Sequence, residues 1–82
     1  MFSIEFTKEA QKFFNKLEDK EALIISKKID DLKENPFRFL KRLQGNKFWR
    51  LRVGDYRIIV DVIVSGNKII IVRIGKRCNV YD

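Results

Sequence analysis

The chain has 82 residues, of which 45% are hydrophobic, and it carries a net charge of +7. Its length predicts a single domain, residues 1–82, because so short a chain cannot divide its core. Seven Phe and a single Pro exclude a disordered chain. One Cys and no His exclude an internal disulfide and a zinc site. A carboxylate site for magnesium stays open, but most of the acidic residues fall at helical spacings that a solvated helix face explains. We predict no metal and no cofactor.

The positive charge lies entirely in the second half of the chain. Residues 1–35 contain seven Lys against eight acidic residues, whereas residues 36–82 contain eleven Lys or Arg against three Asp. A basic half indicates binding to a nucleic acid, an anionic membrane or an acidic protein. Solubility alone is the simpler alternative.

The apolar segments of the sequence indicate where in the cell the protein is located. The longest apolar runs have the length of a strand, and the first residues lack the pattern of a signal peptide. We therefore expect a cytoplasmic protein with no membrane association.

The first half predicts one strand and two helices. Phe2 to Phe6 alternates apolar and polar residues, as in a short strand, and Thr7 can cap a following helix. Asp19 can cap a second helix, which Pro36 ends. The helical spacing of apolar residues supports both elements. A short connection between two helices predicts an antiparallel helical hairpin.

The second half predicts three strands. Residues 36–47 are predicted to form a packed connector without a long element. Residues 48–53 alternate apolar and polar residues, Gly54-Asp55 predicts a turn, and residues 56–64 form a β-branched run typical of a strand. A second turn at residues 65–67 leads to the last strand, residues 68–74. The predicted fold is α+β, of order βααβββ, with the helical hairpin packed on one face of an antiparallel sheet.

Alternation assigns the arginines of these strands to one face. Arg50 and Arg52 alternate with apolar residues, and Arg57 and Arg73 do the same on the later strands. The simplest arrangement places these four arginines on the face of the sheet opposite the helices. The four arginines could serve only to keep the uncovered face in contact with water. Like charges side by side on a sheet, however, destabilise the folded state. A polyanion would relieve the repulsion, and arginine matches phosphate oxygens in shape.

Three segments carry a family resemblance: Leu43-Gln44-Gly45, the run from Trp49 to Ile58, and Ile74-Gly75-Lys76-Arg77 through Val80-Tyr81. Together with the element order, they resemble the RelE/ParE toxin superfamily over essentially the whole chain. The terminal Gly-Lys-Arg and Val-Tyr favour the RelE-type mRNA interferases. Composition alone suggests an archaeal member.

The resemblance implies a toxin of a type II toxin–antitoxin system. Such a toxin is a metal-independent endoribonuclease that cleaves mRNA in the ribosomal A site by attack of a ribose 2′-hydroxyl on the adjacent phosphate, which inhibits translation. The implied partners are the ribosome and mRNA, rRNA of the small subunit, and an acidic RelB-like antitoxin, with a toxin–antitoxin heterotetramer among the possible assemblies.

The resemblance also implies roles for individual residues. Arg57 and Arg77 match two arginines that bind the scissile phosphate, Tyr81 matches a terminal tyrosine that stacks on a base and can accept a proton, and Arg50 matches a strand lysine. The basic residues proposed to bind RNA are Lys47, Arg52, Arg73 and Lys76.

Two features depart from the family pattern. Phe48 stands where a further lysine is expected, and only Lys47 beside it could compensate. The tail from Arg77 to Tyr81 is also shorter than in the family. Two alternatives therefore stay open, namely a ParE-like inhibitor of DNA gyrase and a non-catalytic module that binds nucleic acid or ribosomes.

Overall fold

The computed structural model describes residues 1–76, which form two helices packed against one five-stranded sheet. The elements in chain order are β1 (Ser3–Phe6), α1 (Lys8–Asn15), α2 (Asp19–Asp31), a 3₁₀ turn (Pro36–Arg38), β2 (Lys41–Arg42), β3 (Trp49–Val53), β4 (Tyr56–Ile63) and β5 (Lys68–Lys76). The predicted α+β fold is confirmed. The strand β2 lies in the segment predicted to be a connector.

Thr7 caps the start of α1 and also joins it to the sheet by a hydrogen bond. Its hydroxyl accepts a hydrogen bond from the Ala10 N–H at 3.1 Å and donates one to the Val72 carbonyl at 2.8 Å. The predicted cap is therefore confirmed. The second helix begins at Asp19, but the capping position is Glu18, which makes no side-chain capping hydrogen bond. The prediction that Asp19 caps this helix was wrong by one residue.

The sheet has the strand order β1-β5-β4-β3-β2. All neighbouring pairs are antiparallel except β1 and β5, which run parallel. A parallel pair needs a long crossover connection, and the two helices together with β2, β3 and β4 lie between β1 and β5 in the sequence. The predicted antiparallel sheet is thus confirmed for β2 to β5, with β1 added in parallel at one edge.

A bulge interrupts the pairing of β4 with β5. Ile59 pairs with Arg73 and Val60 pairs with Ile71, so Val72 is the extra residue on β5. An extra residue reverses the alternation of side chains beyond it. Ile71 and Ile74 therefore both reach the hydrophobic core, although they are three positions apart.

The core lies between the helices and one face of the sheet. Leu51, Ile58 and Ile71 on three neighbouring strands are at most 2% exposed. They pack with Ile25 and Ile29 of α2. Fully burying each such side chain contributes about 1.5–3 kcal/mol. The opposite face of the sheet is left without a helix among the described residues.

The last strand is longer than predicted. Gly75, beyond the predicted end at residue 74, lies within β5 and pairs with Arg57, and the strand continues to Lys76. No helix formed by residues 1–76 is both long enough and apolar enough to span a membrane.

Candidate nucleic-acid interface

The face of the sheet opposite the helices carries the predicted arginines. We call it the arginine face, and the strand register places the following cations on it: Lys41, Arg50, Arg52, Arg57 and Arg73. Directly paired residues project to the same side of a sheet, which fixes this assignment. The predicted common face of the four arginines is confirmed.

Two rows of residues run across the arginine face. The first joins one residue from each of four strands, in the order Lys41, Arg50, Ile59, Arg73. The second consists of Arg52, Arg57 and Gly75. Five of these seven residues are cations and none is acidic. These two rows therefore bring five positive charges to this half of the face, where Glu9 of α1 is a neighbouring acidic group.

The other half of the face is close to electrically neutral. A third row contains Asp61, Ile70 and Glu5. The Asp61 carboxylate lies 3.6 Å from the Lys47 ammonium, and the Glu5 carboxylate lies 3.0 Å from the Lys68 ammonium. The positive charge is consequently concentrated at the end of the face near the β3–β4 turn.

Arg57 lies at the centre of the positive half. Arg52 faces it from β3 and Gly75 faces it from β5, so no side chain projects beside it from that position of β5. Arg57 is half-buried, and its Nε atom is fully buried. Burial restricts the orientation of the planar guanidinium, which suits a group that binds two oxygens of one phosphate.

Gly54 makes the turn that brings Arg52 and Arg57 together. Its φ of +56° lies in the left-handed region that favours glycine, and it is followed by Asp55 and then by β4. A two-residue connection of this kind sets the register of the hairpin. The Gly54-Asp55 segment therefore determines which cations face each other.

Arg73 lies at the border between the arginine face and α1. Its Nε atom is 3.4 Å from the Glu9 carboxylate, and both side chains are exposed. An exposed ion pair of this kind contributes little to stability. Arg73 remains accessible to a ligand on the arginine face, at the cost of releasing Glu9.

Lys47 and Lys76 lie away from the positive half of the arginine face. Lys47 is in the loop before β3, near Asp61 and 5.6 Å from the centre of the Phe48 ring. Lys76 pairs with Tyr56 and lines a cavity on the helical side together with Lys16. The structure therefore does not bring these two predicted RNA-binding residues beside Arg57.

Tyr56 anchors the strand that carries Arg57. Its hydroxyl donates a 2.7 Å hydrogen bond to the Glu21 carboxylate on α2, and its side chain is 6% exposed. This hydrogen bond, together with burial and the negative charge of Glu21, raises the pKa of Tyr56 to about 12. The phenol therefore stays protonated and holds α2 against the start of β4.

Two predicted catalytic residues, Arg77 and Tyr81, lie outside the described residues. Two residues of the face were missed by the sequence prediction. Lys41 was missed because a two-residue strand shows no alternation, and Glu5 because its parallel partner could not be identified from sequence. Within residues 1–76, no three Asp, Glu, His or Cys side chains are grouped so that they could hold a metal ion.

A comparison with family models identifies the chain. The model described as the ParE toxin of the type II toxin–antitoxin system parDE matches residues 4–81. The chain belongs to this toxin family. The match confirms the resemblance to the RelE/ParE superfamily that the sequence motifs indicated. No individual curated protein matches the chain.

Solved structures of RelE toxins share the fold of this family member. The archaeal RelE–RelB complex from Pyrococcus horikoshii OT3 is similar with a TM-score of 0.82 and 23% identity, covering 96% of this chain and 98% of that chain. The intact E. coli RelBE toxin–antitoxin complex is similar with a TM-score of 0.81 and 21% identity, covering 93% of this chain and 96% of that chain. The RelB–RelE complex from Methanococcus jannaschii is similar with a TM-score of 0.73 and 26% identity, covering 95% of this chain and 95% of that chain.

Proposed function

We propose that this toxin is an endoribonuclease that inhibits translation by cleaving mRNA in the ribosomal A site. The observation that carries the proposal is the pair of cationic rows on the arginine face, with Arg57 at their centre. Electrostatic binding of phosphates accounts for most of the affinity of proteins for nucleic acids. The fold shared with RelE toxins supports the same function.

The proposed reaction is attack of a ribose 2′-hydroxyl on the adjacent phosphate. The phosphate gains negative charge in the transition state, and fixed cations aimed at that charge accelerate the reaction. Arg57 and Arg77 hold the scissile phosphate in this proposal, and Arg50 in the neighbouring row adds a further positive charge. No metal ion is required by these steps.

Proton transfer needs other groups, because the chain has no His. Tyr81 accepts the proton of the 2′-hydroxyl in this proposal, since a cationic surface favours a phenolate. Arg77 lies close to Tyr81 in the sequence and assists departure of the 5′ oxygen, although a guanidinium releases protons poorly. Proton transfer is accordingly expected to limit the rate.

The remaining cations bind RNA without taking part in the chemistry. Arg52 and Arg73 extend the phosphate-binding rows, whereas Lys47 and Lys76 lie at other positions on the surface, where they contact rRNA of the small subunit. Removing any one of them weakens binding through the loss of a single phosphate contact. Their loss is therefore expected to be milder than that of Arg57.

The proposed inhibitor is an acidic RelB-like antitoxin. Three similar solved structures are RelB–RelE complexes, and a disordered acidic segment that folds on binding would neutralise the basic half of this chain. Assembly as a heterotetramer in the cytoplasm is part of the proposal. Co-purification with the product of a neighbouring small reading frame, followed by mass measurement of the intact complex, tests it.

Primer extension on mRNA tests the proposed activity. Wild-type protein is expected to cut mRNA bound to translating ribosomes and to leave naked mRNA nearly intact. The variant Arg77→Ala should suppress cleavage while ribosome binding stays measurable. Equal loss of cleavage and of binding would instead assign Arg77 to binding alone.

Inhibition of DNA gyrase is a second candidate function, because the matching family model is named for ParE toxins. A supercoiling assay with purified gyrase distinguishes the two functions. Inhibition of supercoiling without ribosomal cleavage would favour this candidate, whereas cleavage without inhibition would exclude it.

A further inference from the structure

The segment before and within β3 is unusual in its composition. Residues 35–54 contain six Lys or Arg, four aromatic residues and no acidic residue. Three cations of this segment, Lys41, Arg50 and Arg52, lie on the arginine face. Residues 37–39 and Arg42 lie with Trp49 at the edge of the sheet near β2, and the proposed cleavage chemistry makes no use of them.

Aromatic rings and cations are stacked together at this edge. The rings of Phe37 and Trp49 lie 5.1 Å apart, and the guanidinium of Arg42 lies 5.3 Å from the centre of the Trp49 ring. We call the surface formed by these three residues, with Phe39 and Arg38, the aromatic edge. The Arg38 guanidinium lies 5.6 Å from the centre of the Phe39 ring.

Two of the three rings of the aromatic edge are exposed, whereas the Trp49 ring is partly buried and packs against the core. Phe37 is 45% exposed and Phe39 is 37% exposed, although both are large and apolar. Exposed rings beside cations are the arrangement on which nucleotide bases stack while their phosphates are neutralised. Stacking of bases on the rings and phosphate contacts with the cations together favour single-stranded RNA as the occupant.

The strand β2 connects the aromatic edge to the arginine face. Lys41 pairs with Arg50 on the arginine face, while Arg42 pairs with Trp49 on the other side of the sheet. Successive residues of a strand point to opposite sides. The cationic row that begins at Arg73 therefore reaches the sheet edge at Lys41 and continues around it through Arg42.

We propose that the aromatic edge is a second binding site for single-stranded RNA, which stacks bases that lie beyond the segment held on the arginine face. The row from β5 to β2 crosses three strand spacings, roughly 14 Å, so only a short piece of RNA fits on the face itself. This inference rests on the proposed function, since RNA on the arginine face is what continues onto the edge.

Trp49 is the only tryptophan of the chain, so tryptophan fluorescence comes from this one ring, which lies in the aromatic edge and packs against the core. The experiment titrates the intact protein with a nine-nucleotide oligoadenylate whose 2′-O-methyl groups prevent cleavage. Saturable quenching of Trp49 fluorescence is expected. A three-nucleotide oligoadenylate should bind more weakly and quench less at saturation, because it can be held on the arginine face without reaching the edge.

Two exposed positions provide the variants. Phe37→Leu keeps an apolar side chain and removes a ring, and it should weaken binding of the nine-nucleotide RNA about fivefold or more, measured by the anisotropy of labelled RNA. Arg42→Gln should weaken binding and reduce the salt dependence by about one phosphate contact. Lys8→Gln removes the same charge on α1, at the opposite edge of the sheet, and should change the affinity less than about twofold.

Several outcomes would overturn the proposal. They are absence of quenching, an equal effect of Lys8→Gln and Arg42→Gln, or equal quenching by a nine-residue polyglutamate, which would assign the edge to an acidic protein. The assay requires neither ribosomes nor cleavage. If the edge fails here while ribosomal mRNA is cut, the proposed function stands; if Trp49 is quenched and no mRNA is cut, the proposed function fails and the RNA site remains.

Discussion

Arg52 of β3 and Arg57 of β4 face each other directly across the two strands, on the side of the sheet opposite the helices. Like charges in direct cross-strand pairs destabilise a sheet. The adjacent row adds Lys41, Arg50 and Arg73 to the same half of the face. These cations form a positive surface whose charge is complementary to that of a polyanion.

Replacing Arg52 should raise stability and lower RNA affinity. Arg52→Thr removes the like-charge pair and introduces a residue that favours strands, so we expect the free energy of unfolding to rise by about 0.5 kcal/mol at low salt. The gain should shrink in 1 M salt, which screens charges beyond about 3 Å. Urea unfolding at both salt concentrations measures it.

The matched control for Arg52→Thr is Lys68→Thr. Lys68 is also on a strand, but it forms an ion pair with Glu5, so its removal should not stabilise the protein. Stabilisation of the same size in both variants, or a gain for Arg52→Thr that does not depend on salt, would contradict the charge argument.

Neutralising Asp61 should strengthen RNA binding. Asp61→Asn removes a carboxylate from the arginine face and releases Lys47, which lies 3.6 Å away. We expect the affinity for single-stranded RNA to rise about threefold at low salt, with a steeper salt dependence. Fluorescence anisotropy of labelled RNA measures both. Asp31→Asn, an equal charge change at the end of α2, should have a smaller effect, and equal effects would count against a localised binding face.

Removing the Tyr56 hydroxyl should destabilise the contact between α2 and β4. Tyr56→Phe removes its hydrogen bond to Glu21, and a loss of about 1–2 kcal/mol in the free energy of unfolding is expected at neutral pH. The folded state raises the pKa of Tyr56 from 10.0 to about 12. This contribution is therefore fully present below pH 10 and is lost as the pH rises through about 12.

The difference in unfolding free energy between wild type and Tyr56→Phe, measured from pH 8 to pH 12, checks this dependence. Glu21→Gln keeps a hydrogen-bond acceptor and removes the charge, so the phenol should titrate at lower pH, as followed by tyrosinate absorbance. Titration at the same pH in wild type and Glu21→Gln would show that Glu21 is not the cause.

Much of the fold follows from local patterns in the sequence. The helical spacing of apolar residues predicted both helices, and Ile25 and Ile29 of that spacing are buried on α2. Thr7 was predicted as a cap because this role depends only on its neighbours in sequence. The alternation around Leu51 likewise predicted the side on which Arg50 and Arg52 lie. These features depend on contacts of short range.

Other features depend on pairings between distant residues. Two residues are too few to show alternation, so β2 and the position of Lys41 could not be predicted. Arg73 was correctly predicted on the arginine face from its immediate apolar neighbours, but the bulge at Val72 that places it there was not predicted, and strict alternation with Ile69 and Ile71 would turn it toward the core. The contact of Tyr56 with Glu21 joins residues 35 positions apart, and no sequence pattern indicates it.

The proposed function assigns Arg57 on the arginine face a direct part in the cleavage of mRNA on the ribosome. Primer extension on translating ribosomes should show cuts with wild-type protein, a decrease of about 100-fold or more for Arg57→Ala, and a change of less than about twofold for Lys8→Gln. An intact message with wild-type protein, or cleavage by Arg57→Ala at the wild-type rate, would contradict the account.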